Sequence, residues 1–538
     1  MHHGIQRSET SDTHCVFPAK AKSLVDLSTG KYPGSNLADV RQPFSVAVTP
    51  TFSLRAFLSD ARFFASDDIE FDSIAESSAQ ASAGELVVYR IGQDNPSRVI
   101  ADALARGASG ILTEQLLPCP LPQCIVGDIE VSLAEIAARQ AGHPDRQLLT
   151  IGVIGSAGKT TTSLLISSLL RSASIRTAYQ TDLGESDGVV QSTSDSSLPT
   201  NRELVHWLTE AKDSECKAAV IEISEFEARH GNYDSIQFDI IVICGTATGH
   251  DDFGPSGLQC ILERLADDGV VIASADEPSV TRELHNHEVR TLTYGIQKNA
   301  DVTAQIFEQS GGVTTLLLTH QDSTTAMETC LCGPAMASNH AAAAVVGLLL
   351  AEPIQKIAES LSQLRTIPGR GQRLSEYGKA TVVIDAGGTP ARAVAAMRPC
   401  RDMKAGGKLW CVLSIEATAD PDTLSHYGTQ LERFSDQAII TATDQSRSGF
   451  LAASHQVLDG VKKCASFRLV ANRQRAIEWA VTEAAPEDTI LIITGERGMT
   501  AHEQRSDLAR ITACVENARQ DMSNVQTQSK PKLSIFGV

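Results

Sequence analysis

Short runs of apolar residues, spaced by helix-length sequence, most constrain what this chain can fold into. LLTIGVI (148–154), AAVIEIS (218–224), FDIIVIC (238–244) and GVVIAS (269–274) are each strand-sized and nearly free of polar alternation. A strand that is apolar at every position is buried on both faces, which implies a parallel sheet covered by helices. The pattern returns in ATVVID, KLWCVLS, QAIITAT and TILIITG, which alternate with helices such as RQRAIEWAVTEAA. These predict a second sheet of the dinucleotide-fold type. At 538 residues the chain is too long for one core. The texture divides it into a flexible leader (1–50), a small α/β domain (51–146), a central α/β domain (147–368), a C-terminal Rossmann-like domain (369–520) and a tail (521–538). The apolar run at 341–351 is too short to span a bilayer and reads as a buried helix.

The first of these runs leads into IGVIGSAGKTTTSL, a strand, a glycine turn and the start of a helix. Backbone N–H groups of such a turn, with the helix N-terminus behind them, face anionic oxygen. Gly155, Ser156, Ala157 and Gly158 form the cradle, Lys159 adds a point charge on terminal phosphates, and Thr160, followed by Thr161, offers a hydroxyl to Mg²⁺. The spacing is Gly-x-x-Gly-Lys-Thr, with Val153 where the longer phosphate-loop pattern has its first glycine. Glu222 and Ser224 close the next strand, where open α/β sheets bind ligands. Glu222 is a candidate Mg²⁺ ligand. His250, with Asp251 and Asp252, follows the strand after that.

Taken together, the motifs resemble the Mur ligases, which build the peptide of bacterial cell-wall precursors, and most closely the branch adding the third residue to UDP-N-acetylmuramoyl-dipeptide. The likeness runs over most of residues 70 to 510. GSAGKTT (155–161) matches the family's Gly-Thr-x-Gly-Lys-Thr-Thr but for Ser156, and Glu222-Ile223-Ser224-Glu225 is similar to its Glu-Val-Ser-Ser. His250 keeps the histidine of Asp-His-Leu-Asp, Asn339 the second Asn of Asn-x-x-Asn, Gly369-Arg370 the Gly-Arg pair, and Asp385 with Thr389-Pro390 the ends of Asp-Tyr-Ala-His-Thr-Pro. The resemblance implies a three-domain architecture with a central phosphate-loop ATPase domain and a Rossmann-like C-terminal domain. It implies ATP and Mg²⁺ as cofactors, Lys159, Glu222 and His250 as catalytic groups, and Thr160, Glu222 and His250 as metal ligands. Asn339, Arg370 and Asp385 would join the loop in holding the nucleotide, while Ser224, Asp444 and Arg447 would face substrate.

Elsewhere the sequence departs from that pattern. The family's carbamylated lysine, which bridges two Mg²⁺ ions, falls at Leu262, and Glu225 or Asp251 are candidate replacements. The Asp-Asn-Pro-Arg motif that reads the incoming amino acid becomes Asp444-Gln445-Ser446-Arg447. Gly-Lys-Gly-His-Glu becomes Gly495-Glu496-Arg497-Gly498-Met499, and the Thr-Thr-Pro before Glu222 becomes Ser197-Leu198-Pro199. The expected activity is an ATP-dependent amide ligase that adds an amino acid to a UDP-N-acetylmuramoyl-peptide through an acyl phosphate. The alternatives are a non-catalytic nucleotide-binding regulator or scaffold, and a ligase for another carboxylate.

Composition narrows the partners. A net charge of -19 argues against the nucleic-acid backbone as partner, which calls for a basic footprint. The 12 cysteines lack metal-site spacing and read as reduced thiols of a cytoplasmic protein. The chain is expected to be monomeric, with no membrane insertion.

Overall fold

The structure is a computed structural model that describes residue 20 and residues 51–193, 199–245, 256–310, 312–403, 406–443, 448–495 and 499–528. Within these residues three larger sheets carry the fold, and the central one positions the site. Its parallel part runs, from edge to middle, Thr177–Thr181, Ala218–Glu222, Leu149–Gly155, Phe238–Cys244, Leu265–Ser274, Thr291–Gly295 and Val302–Ser310. The strand leading into the glycine turn is buried at every position, with Ile151 registered against Val220 on one side and Ile240 on the other. That is the arrangement its unbroken apolar sequence requires.

Helices cover both faces. On one, Lys159–Ser172 packs against Pro334–Leu349, whose alanine run is buried from Ala341 to Ala344. Small side chains let the two helices approach closely. The Gly347 position shows how closely, since a β-carbon there would meet Leu169 of the first helix at 3.3 Å. On the other face, Leu204, Trp207 and Leu208 of the helix Asn201–Asp213 pack beside Leu258, Ile261 and Leu262 of the short helix Gly257–Leu262.

One part of this sheet lies beyond what the apolar runs foretell. Val302–Ser310, Val313–His320 and Ser323–Thr329 form an antiparallel wing. In VTTLLLTH the inward positions are Thr314, Leu316 and Leu318, and the intervening Leu317 blurs the alternation that would mark a half-buried strand.

Residues 62–125 hold a smaller sheet ordered Arg62–Phe64, Gln123–Ile125, Gly110–Thr113, Leu86–Val88 and Ile74–Ala75. Its helices Pro96–Arg106 and Ile129–Gln140 start at Asn95 and Asp128, whose side chains accept from the Arg98 and Val131 N–H groups. The third sheet is ordered Gln372–Leu374, Thr381–Asp385, Thr489–Ile493, Leu409–Ile415, Gln437–Ala442 and Phe467–Leu469. All but the first are parallel, and the four strands read from the sequence here are among them.

The C-terminal helix runs Ala501–Gln528 and so continues into the segment expected as tail. Leu508, Ile511, Val515 and Ala518 recur at helical spacing and are buried, which explains its length. Arg519 donates to the carbonyls of Leu374 and Ala380 at the edge of the third sheet. Arg505 donates to the carbonyl of Leu183 in the central sheet's domain. Among the described residues no helix is long and apolar enough to cross a membrane. The described cysteines are free thiols.

Candidate functional site

The glycine turn takes its shape from two close approaches. Gly155 sits against the neighbouring strand, where a β-carbon would lie 1.8 Å from the Cys244 carbonyl oxygen. Gly158 has a φ of +88° and faces Asn339, whose side-chain oxygen would be 2.4 Å from a β-carbon. Between them Ser156 and Ala157 stand exposed at the crest of the turn, and the helix beginning at Lys159 follows at once.

Glu222 lies under this turn because its strand is the parallel neighbour of the turn's own, with Glu222 opposite Val153. Its carboxylate is 3% exposed and accepts from the Thr160 hydroxyl at 3.1 Å and the Asp182 N–H at 3.1 Å. Lys159 Nζ stands 3.7 Å away. Burial pushes the Glu222 carboxyl up to about 7; the Asp182 charge adds to the rise, and Lys159 and Arg370 oppose it. A divalent cation placed beside Asp182 and Glu222 would oppose that rise.

The donors fit such an ion. Cis ligands of an octahedral Mg²⁺, each at about 2.1 Å, are about 3 Å apart, which matches the separation of the Thr160 hydroxyl and the Glu222 oxygen. Among the described residues no group of three or more His, Cys, Asp or Glu converges on a metal position.

The C-terminal domain closes the site from the other side. Arg370 donates to the Gly369 carbonyl at 3.1 Å and to the Thr160 hydroxyl at 3.4 Å. Asp385 ends a strand of the third sheet and accepts from the Gly371 and Gly387 N–H groups, both at 2.9 Å. Burial holds its carboxyl above the ordinary range, against the pull of those N–H groups and of Arg370 and Arg392. The cleft between the two domains holds about 130 Å³. Lys159, Arg370, Arg373 and Arg392 line it against Asp182, Glu222 and Asp385. The cleft therefore carries a cationic excess in an otherwise acidic chain, as a polyanionic ligand requires.

Of the residues singled out from sequence, Gly158, Lys159, Thr160, Thr161, Ala157, Glu222, Asn339, Arg370 and Asp385 line this one cleft. Gly155 and Ser156 form the turn itself. Ser224 caps the helix Glu225–Arg229 by accepting from the Glu227 N–H, and its own N–H donates to the Tyr233 hydroxyl at 3.0 Å. Leu262 is packed among apolar side chains, and Glu225 pairs with Arg229 at 3.2 Å. His250, Asp251, Asp252, Asp444 and Arg447 lie outside the described residues, as do residues 496–498. Sequence reasoning passed over Asp182, Arg373 and Arg392. The signal for Asp182 was present: TAYQTD is also a strand with an acid at its end.

Two sequence profiles match the chain: the Mur ligase middle domain over residues 153–347 and the Mur ligase glutamate ligase domain over residues 369–497. The chain belongs to the Mur ligase family. This Mur ligase is 26% identical over 503 residues to a UDP-N-acetylmuramoyl-L-alanyl-D-glutamate–2,6-diaminopimelate ligase of Streptomyces coelicolor, covering 89% of the present chain and 96% of the relative. It is 26% identical to a UDP-N-acetylmuramyl-tripeptide synthetase of Deinococcus radiodurans over 79% and 89% of the two chains. Among solved structures it resembles a MurF ligase of Thermotoga maritima in complex with ADP, with a TM-score of 0.58 at 18% identity, covering 84% of this chain and 98% of that one. A folylpolyglutamate synthase of Mycobacterium tuberculosis gives a TM-score of 0.54 over 70% and 95%. These likenesses establish the three-domain α/β fold.

Proposed function

We propose that this Mur ligase joins an amino acid to the terminal carboxylate of a UDP-N-acetylmuramoyl-peptide, with ATP as the energy source. The observation that carries the reading is the convergence of Lys159, Thr160 and Glu222 beneath the glycine turn with Arg370 brought across from the C-terminal domain. The relatives' names supply the substrate class, and the domain at residues 51–146 is the natural holder of the UDP end. We place the protein in the cytoplasm, where the nucleotide-linked precursor would be met.

The chemistry follows from the charges. A peptide carboxylate attacks the terminal phosphorus of ATP, the bond to the bridging oxygen breaks, and ADP leaves with that electron pair. The amine of the incoming amino acid then attacks the acyl phosphate, phosphate departs, and the amine loses a proton. Phosphoryl transfer needs positioning and charge neutralisation more than covalent help. Backbone N–H groups of 155–158 cradle the phosphates, Lys159 neutralises terminal oxygens, and Asn339 shapes the turn. Thr160 and Glu222 would hold Mg²⁺, which when bound draws charge from the phosphate oxygens. Asp385 and Arg370 bring the C-terminal domain to the nucleotide, so closure completes the site.

One observation favours a second reading. Leu262, at the position the family resemblance gives to a carbamylated lysine, is 7% exposed inside an apolar cluster. A protein that binds nucleotide without turning it over would tolerate that. Phosphate release from ATP with UDP-N-acetylmuramoyl-dipeptide and a panel of amino acids, diaminopimelate and lysine included, separates the two. Release that depends on one amino acid is expected; nucleotide binding without release across the panel would overturn the ligase assignment.

A further inference from the structure

Two arginines of the C-terminal domain reach the glycine turn, and the reading above uses one. Arg370 is spoken for by the Thr160 hydroxyl and the Gly369 carbonyl. The other is Arg392, in the first turn of the helix Pro390–Met403. Thr389 fixes that turn: its hydroxyl accepts from the Arg392 N–H at 3.2 Å, and its carbonyl from the Ala393 N–H at 2.9 Å. From this base the guanidinium crosses the domain seam, and Nη2 donates to the Ser156 carbonyl at 2.5 Å.

A neutral carbonyl is a modest partner for a guanidinium. The group is a planar fork with five N–H donors, matched to the oxygens of a phosphate. Among the described residues the Arg392 side chain makes no hydrogen bond besides that to Ser156. It lines the same cleft as Lys159, Thr160 and Glu222. Ser156 stands at the exposed crest of the turn, just ahead of the helix that begins at Lys159. In a nucleoside triphosphate only the terminal phosphate has three non-bridging oxygens, and it carries the most charge.

We propose that Arg392 grips the terminal phosphate of the bound triphosphate from across the domain seam, using the Ser156 carbonyl as its resting partner. The C-terminal domain thereby senses whether the nucleotide still has its third phosphate. The negative charge spread over the equatorial oxygens of the transferring phosphoryl group is then met by Arg392, as for arginines donated across an interface in other phosphoryl-transfer sites. The inference rests on the nucleotide reading of the cleft and adds a residue that the family motifs do not contain.

The test is equilibrium binding of a non-hydrolysable ATP analogue with an imido bridge before its last phosphate, and of ADP, both with Mg²⁺. The proteins are the full chain and its R392A and R392K variants. Loss of one charged hydrogen-bonding fork is expected to weaken the triphosphate analogue by about tenfold or more in R392A, and ADP by less than about threefold. R392K should recover part of the loss, since it keeps the charge without the fork. Equal weakening of both nucleotides would mean that Arg392 only latches the domains, and unchanged binding would mean that it does neither; both outcomes overturn the proposal. If R392A fails to fold, R392K still reports, because an unaltered ratio of the two affinities there overturns it too. An unaltered chain that binds neither nucleotide sinks the nucleotide reading itself.

Discussion

The β-carbon that Gly158 lacks would stand 2.4 Å from the side-chain oxygen of Asn339. The helix that covers the sheet thus sets the shape of the phosphate turn from outside. Gly158→Ala meets two obstacles, this contact and a backbone φ of +88°. The backbone alone costs about 1–2 kcal/mol for a residue with a side chain. The variant is expected to melt lower and to lose nucleotide binding by at least about tenfold. Adding Asn339→Ala removes the contact but not the φ, so dialysis against labelled ADP should show no more than partial recovery.

The Glu222 carboxyl is held up to about 7 against an ordinary 4.5, chiefly by burial. Between those values the folded chain binds a proton that the unfolded chain has lost, so this group makes the ligand-free protein less stable as pH rises from 4.5 to 7. The effect is of order 3 kcal/mol at its full extent. Glu222→Gln should be more stable than the parent at pH 8, with the gap closing near pH 4.5. Urea denaturation across that range measures it. The same variant should lose Mg²⁺-dependent nucleotide binding at every pH.

His340 gives the opposite slope. It is fully buried on the helix Pro334–Leu349; its Nδ1 meets the Met336 carbonyl at 2.7 Å, and Nε2 is without a partner. Burial holds its conjugate acid down to about 4 from 6.5. The unfolded chain takes up a proton first, so stability present above pH 6.5 is lost as pH falls from 6.5 to 4. Over the shared window the two groups offset one another. His340→Asn should therefore leave a chain whose stability rises on mild acidification, while Glu222→Gln leaves one that falls.

Leu262→Lys restores the residue type that the family resemblance places there, but into an apolar cluster with Leu258, Ile261 and Tyr233. A lysine so placed must deprotonate or carry an unpaired charge, at a cost of about 3 kcal/mol or more. Calorimetry should show a markedly lower melting temperature. A variant as stable as the parent that also releases phosphate faster would show that a second metal position still exists beside this helix.

What the sequence made legible was local. The glycine turn and the acid ending AAVIE announce themselves within a few residues, because one strand and its following turn fix them, while the Gly369-Arg370 pair and Asp385 stand out through the family resemblance. Asp182 and Arg392 do not. Asp182 reaches Glu222 only because Thr177–Thr181 is laid beside Ala218–Glu222, a matter of strand order between residues 40 apart. Arg392 meets Ser156 over 236 residues and across two domains. The antiparallel wing escaped for a different reason: threonines and leucines that pack on both faces erase the two-residue period.

The helix Ala501–Gln528 holds the edge of the third sheet through Arg519 and the Leu183 carbonyl through Arg505. Leu183 follows Asp182, whose N–H steadies the Glu222 carboxylate. The helix is thus a tie-rod between the third sheet and the acidic wall of the cleft. Any shift of that sheet away from the central one would have to tug the Asp182 turn or snap the Arg505 link, so the two walls of the cleft are mechanically geared together.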